Sequence, residues 1–304
     1  MTSTATRDQG IDSLQGQGAG LKKPVAPAVL LWRRFSRNKA GLVGFFIVLG
    51  LMAMALLAPF VAGDPNHGNY GALAQAPGAG RLFGTDNLGR DVFSRVVYGS
   101  RISLEAGLIS VGIALAVSLP IGLVTGYYRG FWDEIVVMRL VDAMQAFPFM
   151  ILALTVAAIL GPSLVNAMIA IGIGYAPGFI RVVRAGAMQA REHEYVEAAK
   201  AVGASDTRIM LSHVLPNSLA PLLVQTTLAI AGAIIAEAGL SYLGVGTQPP
   251  TPSWGADLRV AQGFMQMAPW MAYFPGAAIF LAVLGFNLFG DGLRDAFDPQ
   301  LKGR

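Results

Sequence analysis

Residues 40–62 read AGLVGFFIVLGLMAMALLAPFVA and contain no charged side chain. A helix needs about 20 apolar residues to cross the hydrocarbon core of a bilayer, so this stretch is long enough to span a membrane. Five further apolar runs follow it, and they are continuous, whereas the strands of a membrane barrel alternate apolar and polar residues. The sequence therefore predicts an all-α membrane protein with about six transmembrane helices. The further runs are 102–127, 135–160, 163–179, 219–243 and 271–288.

Composition indicates the same class of protein. Of the 304 residues, 54% are hydrophobic and 13% are charged, whereas soluble domains contain about 25% charged residues. The sequence contains no cysteine, which excludes disulfides, a thiol nucleophile and cysteine metal sites. The net charge of +4 is too small to indicate a nucleic-acid partner.

Basic residues precede the first apolar run, as they do in a signal peptide. The run is longer than the core of a signal peptide and a long polar tail comes before it, so we interpret it as an uncleaved span. The tail is rich in Gly, Gln, Ser and Thr as far as about Pro27. We predict that residues 1–30 form a disordered cytoplasmic tail.

Lys and Arg are distributed unevenly between the two sides of a six-span arrangement. If the amino terminus is cytoplasmic, the outer segments are 64–100 and 245–270, and most basic residues fall in the inner segments. Cytoplasmic loops of membrane proteins carry such an excess of Lys and Arg. The sequence therefore predicts that both termini are cytoplasmic. Of the 22 Lys and Arg residues, those assigned to the outer side are only Arg81, Arg90, Arg95 and Arg259 within the outer segments and Arg101 at the border of the first one.

The longest inner segment, 180–217, contains a short amphipathic helix. Small apolar residues and one tyrosine recur there at helical spacing and predict a single apolar face. Gly203 is suited to end this helix, and Ser205 or Asp206 can cap a second short helix that runs through Met210. The face is suited to contact another protein, although an ordinary surface helix would show the same pattern. The residues of this face are Tyr195, Ala198, Ala199 and Val202.

The same segment resembles the EAA loop of ABC importer permeases. The resemblance rests on Glu197-Ala198-Ala199, on Gly203 and on His213-Val214-Leu215-Pro216. In that family the loop is the coupling helix, which docks into a groove of the ATPase subunit. The resemblance therefore implies a coupling helix at about 192–203. The family commonly has isoleucine at the place of His213, whereas its peptide-importer branch often has histidine. The residues implied to couple to the ATPase are Glu197, Ala198, Ala199, Gly203, Leu215 and Pro216.

Two outer stretches resemble the same branch. Residues 83–91 read FGTDNLGRD, and residues 237–246, EAGLSYLGVG, precede PPTPSWG at 249–255. With the EAA loop they make residues 31–304 similar to the C-type permeases of dipeptide and oligopeptide importers. This resemblance implies the type I ABC importer permease fold. The residues of the first outer motif are Gly84, Thr85, Asp86, Gly89, Arg90 and Asp91.

The resemblance also implies partners and a location in the bacterial inner membrane. They are a paralogous B-type permease, two ABC ATPase subunits and a periplasmic or lipoprotein substrate-binding protein. The chain would move short peptides, or alternatively nickel chelates, glutathione or opine-like compounds. ATP and Mg²⁺ would bind to the ATPases, with no cofactor on this chain, because the sequence has no Gly-x-x-x-x-Gly-Lys-Ser/Thr loop.

Enzymatic and metal-binding roles find little support in the sequence. His67, His193 and His213 lack zinc-ligand spacing, and no Gly-x-Ser-x-Gly elbow occurs. An intramembrane enzyme, a channel and a secondary transporter are competing classes, and the coupling-helix match argues against all three. We expect a transport subunit that is not an enzyme and holds no metal.

Acidic residues inside the apolar runs are the remaining site candidates. A charge at mid-bilayer is costly and usually faces protein or water. Asp142 and Glu237 are candidates for the translocation pathway, although Asp142 could pair with Arg139, one helical turn away, and Glu237 could have a structural hydrogen-bonding role. Glu105 lies near the outer end of its run and can reach the headgroups. Pro148 is expected to kink the third span.

Overall fold

The computed structural model describes residues 27–297, and within them the chain forms eleven α-helices, a short 3-10 helix at Tyr70–Ala72 and no strand. The tail predicted for residues 1–30 therefore lies outside the described residues as far as residue 26. Short π-helical turns at Trp132–Val137 and Met210–Val214 lead into the fourth and ninth helices. The helices are α1 (Pro27–Phe35), α2 (Lys39–Val61), α3 (Val92–Tyr128), α4 (Met138–Gln145), α5 (Phe149–Leu160), α6 (Leu164–Arg191), α7 (Glu194–Ala201), α8 (Asp206–Ile209), α9 (Leu215–Tyr242), α10 (Trp254–Gln262) and α11 (Trp270–Phe297).

The number of spans agrees with the sequence prediction. In the described part of the chain, α2, α3, α6, the continuous helix 206–242 and α11 are each long and apolar enough to cross a membrane. The helix 133–145 and α5 together form a sixth, broken span, in which the two halves are bent by 96°. The prediction of an all-α protein with about six spans is therefore confirmed, and the break before Pro148 is far larger than a kink.

Helix packing is centred on α3, α6 and α9, whereas α2 packs along α11. Small residues permit these contacts, as is usual in membrane bundles. A Cβ added at Gly41 would lie 2.8 Å from the Cα of Gly292, and one at Gly126 would lie 2.6 Å from the carbonyl oxygen of Arg184. The backbones of the paired helices therefore approach too closely for larger side chains.

The ends of the bundle differ in character. We call the end that carries α7 the α7 end, and the opposite end, which carries residues 83–91, the motif end. The amide nitrogen of the Asn38 side chain, at the start of α2, donates to Asp295 of α11, 2.6 Å away, and α1 also contacts α11 at the α7 end. Helix α3 has 37 residues and a length of about 56 Å. It therefore projects well beyond a hydrocarbon core of about 30 Å.

Three boundaries differ from the sequence predictions. Helix α6 continues past Phe179 to Arg191, because the basic side chains that end its apolar run are paired with acidic residues of the preceding segment. The second short helix, α8, is not separate but leads without interruption into α9, so Pro216 lies inside a helix. Residues 27–30, predicted as tail, form the first turn of α1.

Candidate functional site

Helix α7 lies at the surface of the α7 end and has two different faces. Val196 is fully buried and Ala199 is half-buried against the core, so these two residues anchor the helix. Tyr195 and Ala198 are exposed, and Val202, just after the helix, is 84% exposed. The predicted apolar face is therefore divided. Ala199 belongs to the inner face with Val196, which the spacing did not predict, and Tyr195, Ala198 and Val202 form an outer apolar surface open to a partner.

Gly203 ends α7 in the left-handed conformation, with φ of +81°. Its amide donates to the carbonyl oxygen of Lys200 at 2.9 Å, and the next amide, of Ala204, donates to that of Ala199 at 3.0 Å. These bonds satisfy carbonyls that a helix end leaves free. The predicted helix-terminating role of Gly203 is thus present, whereas its role in coupling stays a prediction.

Tyr127, near the end of α3, connects this surface segment to the membrane helices. Its hydroxyl donates to Oδ1 of Asp206 at 2.7 Å, and the hydroxyl of Tyr128 donates to Oδ2 at 3.2 Å. The side-chain cations of Lys200 and Arg191 lie 5.5 and 5.7 Å from the centre of the Tyr127 ring. The sequence suggested that Asp206 could cap α8. In the structure its carboxylate instead accepts hydrogen bonds from the two tyrosines of α3. No local pattern indicates this contact, because its partners are 79 residues apart.

Leu215 and Pro216, the last residues of the EAA-like pattern, lie in the first turn of α9. Leu215 is half-buried and Pro216 is exposed. The residue of this part that approaches α7 is His213, whose ring centre lies 6.2 Å from that of Tyr195. The EAA-like pattern thus places the His213 ring beside the outer surface of α7. Glu197, on the same helix, is exposed.

At the motif end, residues 84–91 form a compact turn in which Asp86, Arg90 and Asp91 make hydrogen bonds within the motif or to the start of α3. Asp86 accepts from the backbone amides of Leu88 and Arg90 at 2.8 and 2.9 Å, and its other oxygen lies 2.6 Å from Nε of Arg90. The buried hydroxyl of Thr85 donates to the carbonyl of Ala72 at 2.5 Å. Asp91 caps α3 by accepting from the amide of Ser94 at 2.9 Å.

The two glycines of this motif have positive φ and no room for a side chain. A Cβ at Gly84 would lie 2.5 Å from the carbonyl oxygen of Gln75, and one at Gly89 would lie 1.9 Å from that of Asn69. Trp270 of α11 then donates to the carbonyl of Thr85 at 3.1 Å. These contacts give the motif a clear structural role, because they join the first loop to the start of α3 and to α11.

A buried ion pair between Arg95 of α3 and Asp257 of α10 was not predicted from the sequence. The Arg95 side chain donates from Nε and Nη2 to one carboxylate oxygen, at 2.9 and 2.5 Å. The two residues are 162 positions apart and neither belongs to a periodic pattern. Breaking a buried ion pair costs about 3–5 kcal/mol, so this contact fixes α10 against α3.

Glu237 is fully buried near the C-terminal end of α9 and is surrounded by hydroxyl groups. Its Oε1 accepts from Ser241 at 2.7 Å, Ser253 at 2.9 Å and Thr247 at 3.1 Å, and Ser103 lies 3.5 Å from Oε2. The carboxyl group joins α3, α9 and the loop that leads to α10. This geometry favours a structural hydrogen-bonding role for Glu237, and its place in the pathway remains only a sequence prediction.

Asp142 pairs with Arg181 of α6, at 2.5 Å, and not with Arg139 as the spacing suggested. Both side chains of this pair are about half exposed. In the preceding π-helical turn, Asp133 binds Arg184 through both carboxylate oxygens, at 2.5 to 3.1 Å. The first half of the broken span is thus attached to α6 by two ion pairs.

Comparisons with known proteins assign these features to one family. Residues 118–303 match the family described as "Binding-protein-dependent transport system inner membrane component". Residues 27–77 match the "N-terminal TM domain of oligopeptide transport permease C". The two matched regions together include α1, α2, the broken span and the whole EAA-like segment.

Curated relatives are similar over almost the whole chain. The dipeptide transport system permease protein DppC of Alkalihalophilus pseudofirmus is 45% identical over 91% of each chain. The DppC of Haemophilus influenzae is 43% identical over 92% of this chain and 97% of its own. The glutathione transport system permease protein GsiD of Escherichia coli O157:H7 is 44% identical over 90% of each chain.

A solved structure shows the same fold. The MetNI methionine ABC transporter in an inward-facing conformation matches with a TM-score of 0.53 and 22% sequence identity, over 67% of this chain and 97% of that one. This agrees with the type I importer permease fold that the motifs implied. The chain therefore belongs to the family of binding-protein-dependent transport system inner membrane components, as a multi-pass ABC importer permease of the dipeptide and oligopeptide permease C branch.

Proposed function

We propose that this chain is one half of the membrane channel of a bacterial ABC importer that carries short peptides inward. The observation that carries the proposal is the outer surface of α7, an apolar surface on a helix that is anchored by Val196 and contacts Tyr127 of α3 through Lys200. Relatives named for dipeptide transport support the substrate class. Glutathione, the substrate named for another relative, is itself a modified tripeptide. Nickel chelates and opine-like compounds are the remaining candidate substrates.

Partners supply the energy, the second half of the channel and the substrate. A paralogous B-type permease completes the channel, and two ATPase subunits bind ATP and Mg²⁺ and receive the outer surface of α7. A periplasmic or lipoprotein receptor delivers the peptide at the motif end. The sequence contains no phosphate-binding loop of its own, which supports the assignment of ATP hydrolysis to partner subunits.

The proposed orientation places the α7 end in the cytoplasm, with both chain termini on that side. The basic residues clustered around α7, among them Arg184, Arg191, Lys200 and Arg208, support this orientation through the positive-inside rule. The meeting of α1, α2 and α11 at the α7 end supports termini on one side.

Uptake by intact cells tests the proposal. A strain that lacks this chain should lose uptake of radiolabelled alanyl-alanine and keep uptake of free alanine, and a plasmid copy should restore the loss. Labelled glutathione and a labelled nickel chelate are measured in parallel. If uptake of one of these two is lost while the dipeptide is taken up normally, that compound is the substrate. Normal uptake of all three would contradict the proposed function.

A further inference from the structure

The broken span leaves an opening between its two halves. Between α4 and α5 the chain turns through 96°, and Ala146, Phe147 and Pro148 at the turn are exposed, with Phe147 60% exposed. Backbone that is not helical is tolerated at membrane depth only where it is covered by protein or lines a water-filled cavity. The turn is not covered by the described part of this chain, so the surrounding space must be a partner surface or water.

A cleft of about 490 Å³ lies beside this turn, open to the surface of the chain. That volume falls within the range of about 300–1,000 Å³ typical of ligand clefts. Its walls come from the turn, from α6 at Tyr175 and Gly178, and from α9 at Gln225. Tyr175 lies about 16 Å along α6 from the start of that helix. This distance is about half the thickness of the hydrocarbon core, so we place the cleft near the middle of the membrane.

The polar groups of the cleft are uncharged and unpaired. Gln145 and Gln225 both line it, and among the described residues neither side-chain amide has a hydrogen-bond partner. An amide offers two donors and one acceptor, and leaving it unpaired in lipid is costly. The rings of Phe149 and Tyr175, which also line the cleft, pack with their centres 4.7 Å apart. No charged side chain lines the cleft; the nearest along the chain, Asp142, is paired with Arg181.

We propose that this cleft is a section of the translocation pathway and binds a peptide through its backbone amide groups. The inference rests on the proposed function and adds the location and the chemistry of recognition. Carboxamides pair with the N–H and C=O groups that every peptide carries, and the aromatic wall accepts apolar side chains without selecting one. The absence of charge in the lining favours passage of peptides whatever the charge of their side chains.

A pair of matched glycine variants tests whether the cleft carries substrate. Gly178 and Gly276 each follow a proline within a long helix, and at each an added Cβ would meet no atom within 4 Å. Only Gly178 lines the cleft. In proteoliposomes with the complete importer, Gly178→Leu should lower uptake of labelled alanyl-alanine several-fold and leave receptor-stimulated ATP hydrolysis intact. Gly276→Leu should behave as wild type. Equal uptake by the two variants would overturn the inference.

Chemical labelling tests whether the amides face water. Because the chain has no cysteine, Gln225→Cys introduces a single thiol in the cleft, and Phe280→Cys introduces one at a 64% exposed apolar position on α11. The thiolate of a cysteine attacks a charged methanethiosulfonate reagent, and both the thiolate and the charged reagent need water. It should modify Gln225→Cys and spare Phe280→Cys, and loaded receptor with ATP should slow the modification. If Gln225→Cys stays unreactive in every nucleotide state, the amides face the partner permease and the inference is wrong.

These results separate the two proposals. Failure of the wild-type importer to take up any peptide contradicts the proposed substrate, whereas the labelling result does not depend on substrate identity. Peptide uptake by the wild type, with no difference between the glycine variants, contradicts only the assignment of the cleft.

Discussion

Tyr127 bonds the end of α3 to the surface segment through its hydroxyl and its ring. Its hydroxyl bond to Asp206 contributes about 1 kcal/mol, because Asp206 remains exposed to water. We predict that Tyr127→Phe keeps the chain in the membrane and keeps ATP hydrolysis, but lowers the amount of peptide imported per ATP hydrolysed. The measurement is the ratio of uptake to hydrolysis in proteoliposomes.

Tyr128→Phe is the control for this prediction. Its bond to the same carboxylate is longer, at 3.2 Å, and its ring is exposed. The ratio should change little in this variant. An equal loss in both variants, or no loss in either, would show that the Tyr127 hydroxyl does not transmit movement.

Glu237 provides a prediction that separates the structural role from the pathway role. Glu237→Gln keeps an oxygen acceptor for the surrounding hydroxyls, whereas Glu237→Leu leaves several buried hydroxyls without a partner, at about 1–3 kcal/mol each. Thermal unfolding in detergent should therefore show a lower Tm for Glu237→Leu and a nearly unchanged Tm for Glu237→Gln. Reduced uptake by Glu237→Gln at an unchanged Tm would instead favour the pathway role.

Single residues were predictable from the sequence where their roles are local. Gly203 could be predicted to end a helix because the apolar spacing stops one residue before it. The partners of Tyr127, Arg95 and Glu237 could not, since each contact joins helices that are distant in the sequence and depends on how they pack. Asp142 was assigned the wrong partner because helical spacing considers only its own helix.

Helix α7 is the element that we propose receives the ATPase subunits on its outer surface. Ala198 is exposed on the outer surface, so Ala198→Trp should leave the fold intact and block docking of the ATPase. We predict that ATPase subunits no longer copurify with Ala198→Trp and do copurify with Ala198→Ser. Ala199 is the poorer test of docking, because a bulky side chain there would disturb packing within this chain. Normal copurification of Ala198→Trp would show that this surface is not the docking site.

The end of α7 can be tested at the same time. Gly203 has open space around it, so Gly203→Val would be strained by its positive φ alone, at about 1–3 kcal/mol. Asparagine tolerates this conformation. Transport should therefore fall in Gly203→Val and be retained in Gly203→Asn, with both chains present in the membrane. Equal transport by the two variants would mean that the helix end does not have to be rigid.

The membrane-spanning helices were largely predictable, because each one contains a long run of apolar residues in the sequence. The runs at 40–62 and 271–288 lie within or nearly within α2 and α11. The fourth run underestimated α6, since basic residues end the run but not the helix. The 96° break could not be predicted from composition, because Pro148 is also compatible with a modest kink.

At the scale of the whole molecule, transport requires the α7 end and the motif end to be on opposite sides of the membrane. Val202 and Tyr70 are 84% and 81% exposed at these two ends. We predict that a membrane-impermeant maleimide added to intact cells modifies Tyr70→Cys, and modifies Val202→Cys only after the membrane is opened. The same accessibility for both thiols would contradict the topology.

The central claim is that this chain moves peptide only when partner ATPases act on it. The most direct measurement is uptake of labelled alanyl-alanine into proteoliposomes that contain the receptor, both permeases and the ATPases, with this chain as the single variable. Uptake should require ATP, should disappear when this chain is omitted, and should be lost with Ala198→Trp. ATP-independent uptake by this chain alone, or uptake unchanged in its absence, would contradict the claim.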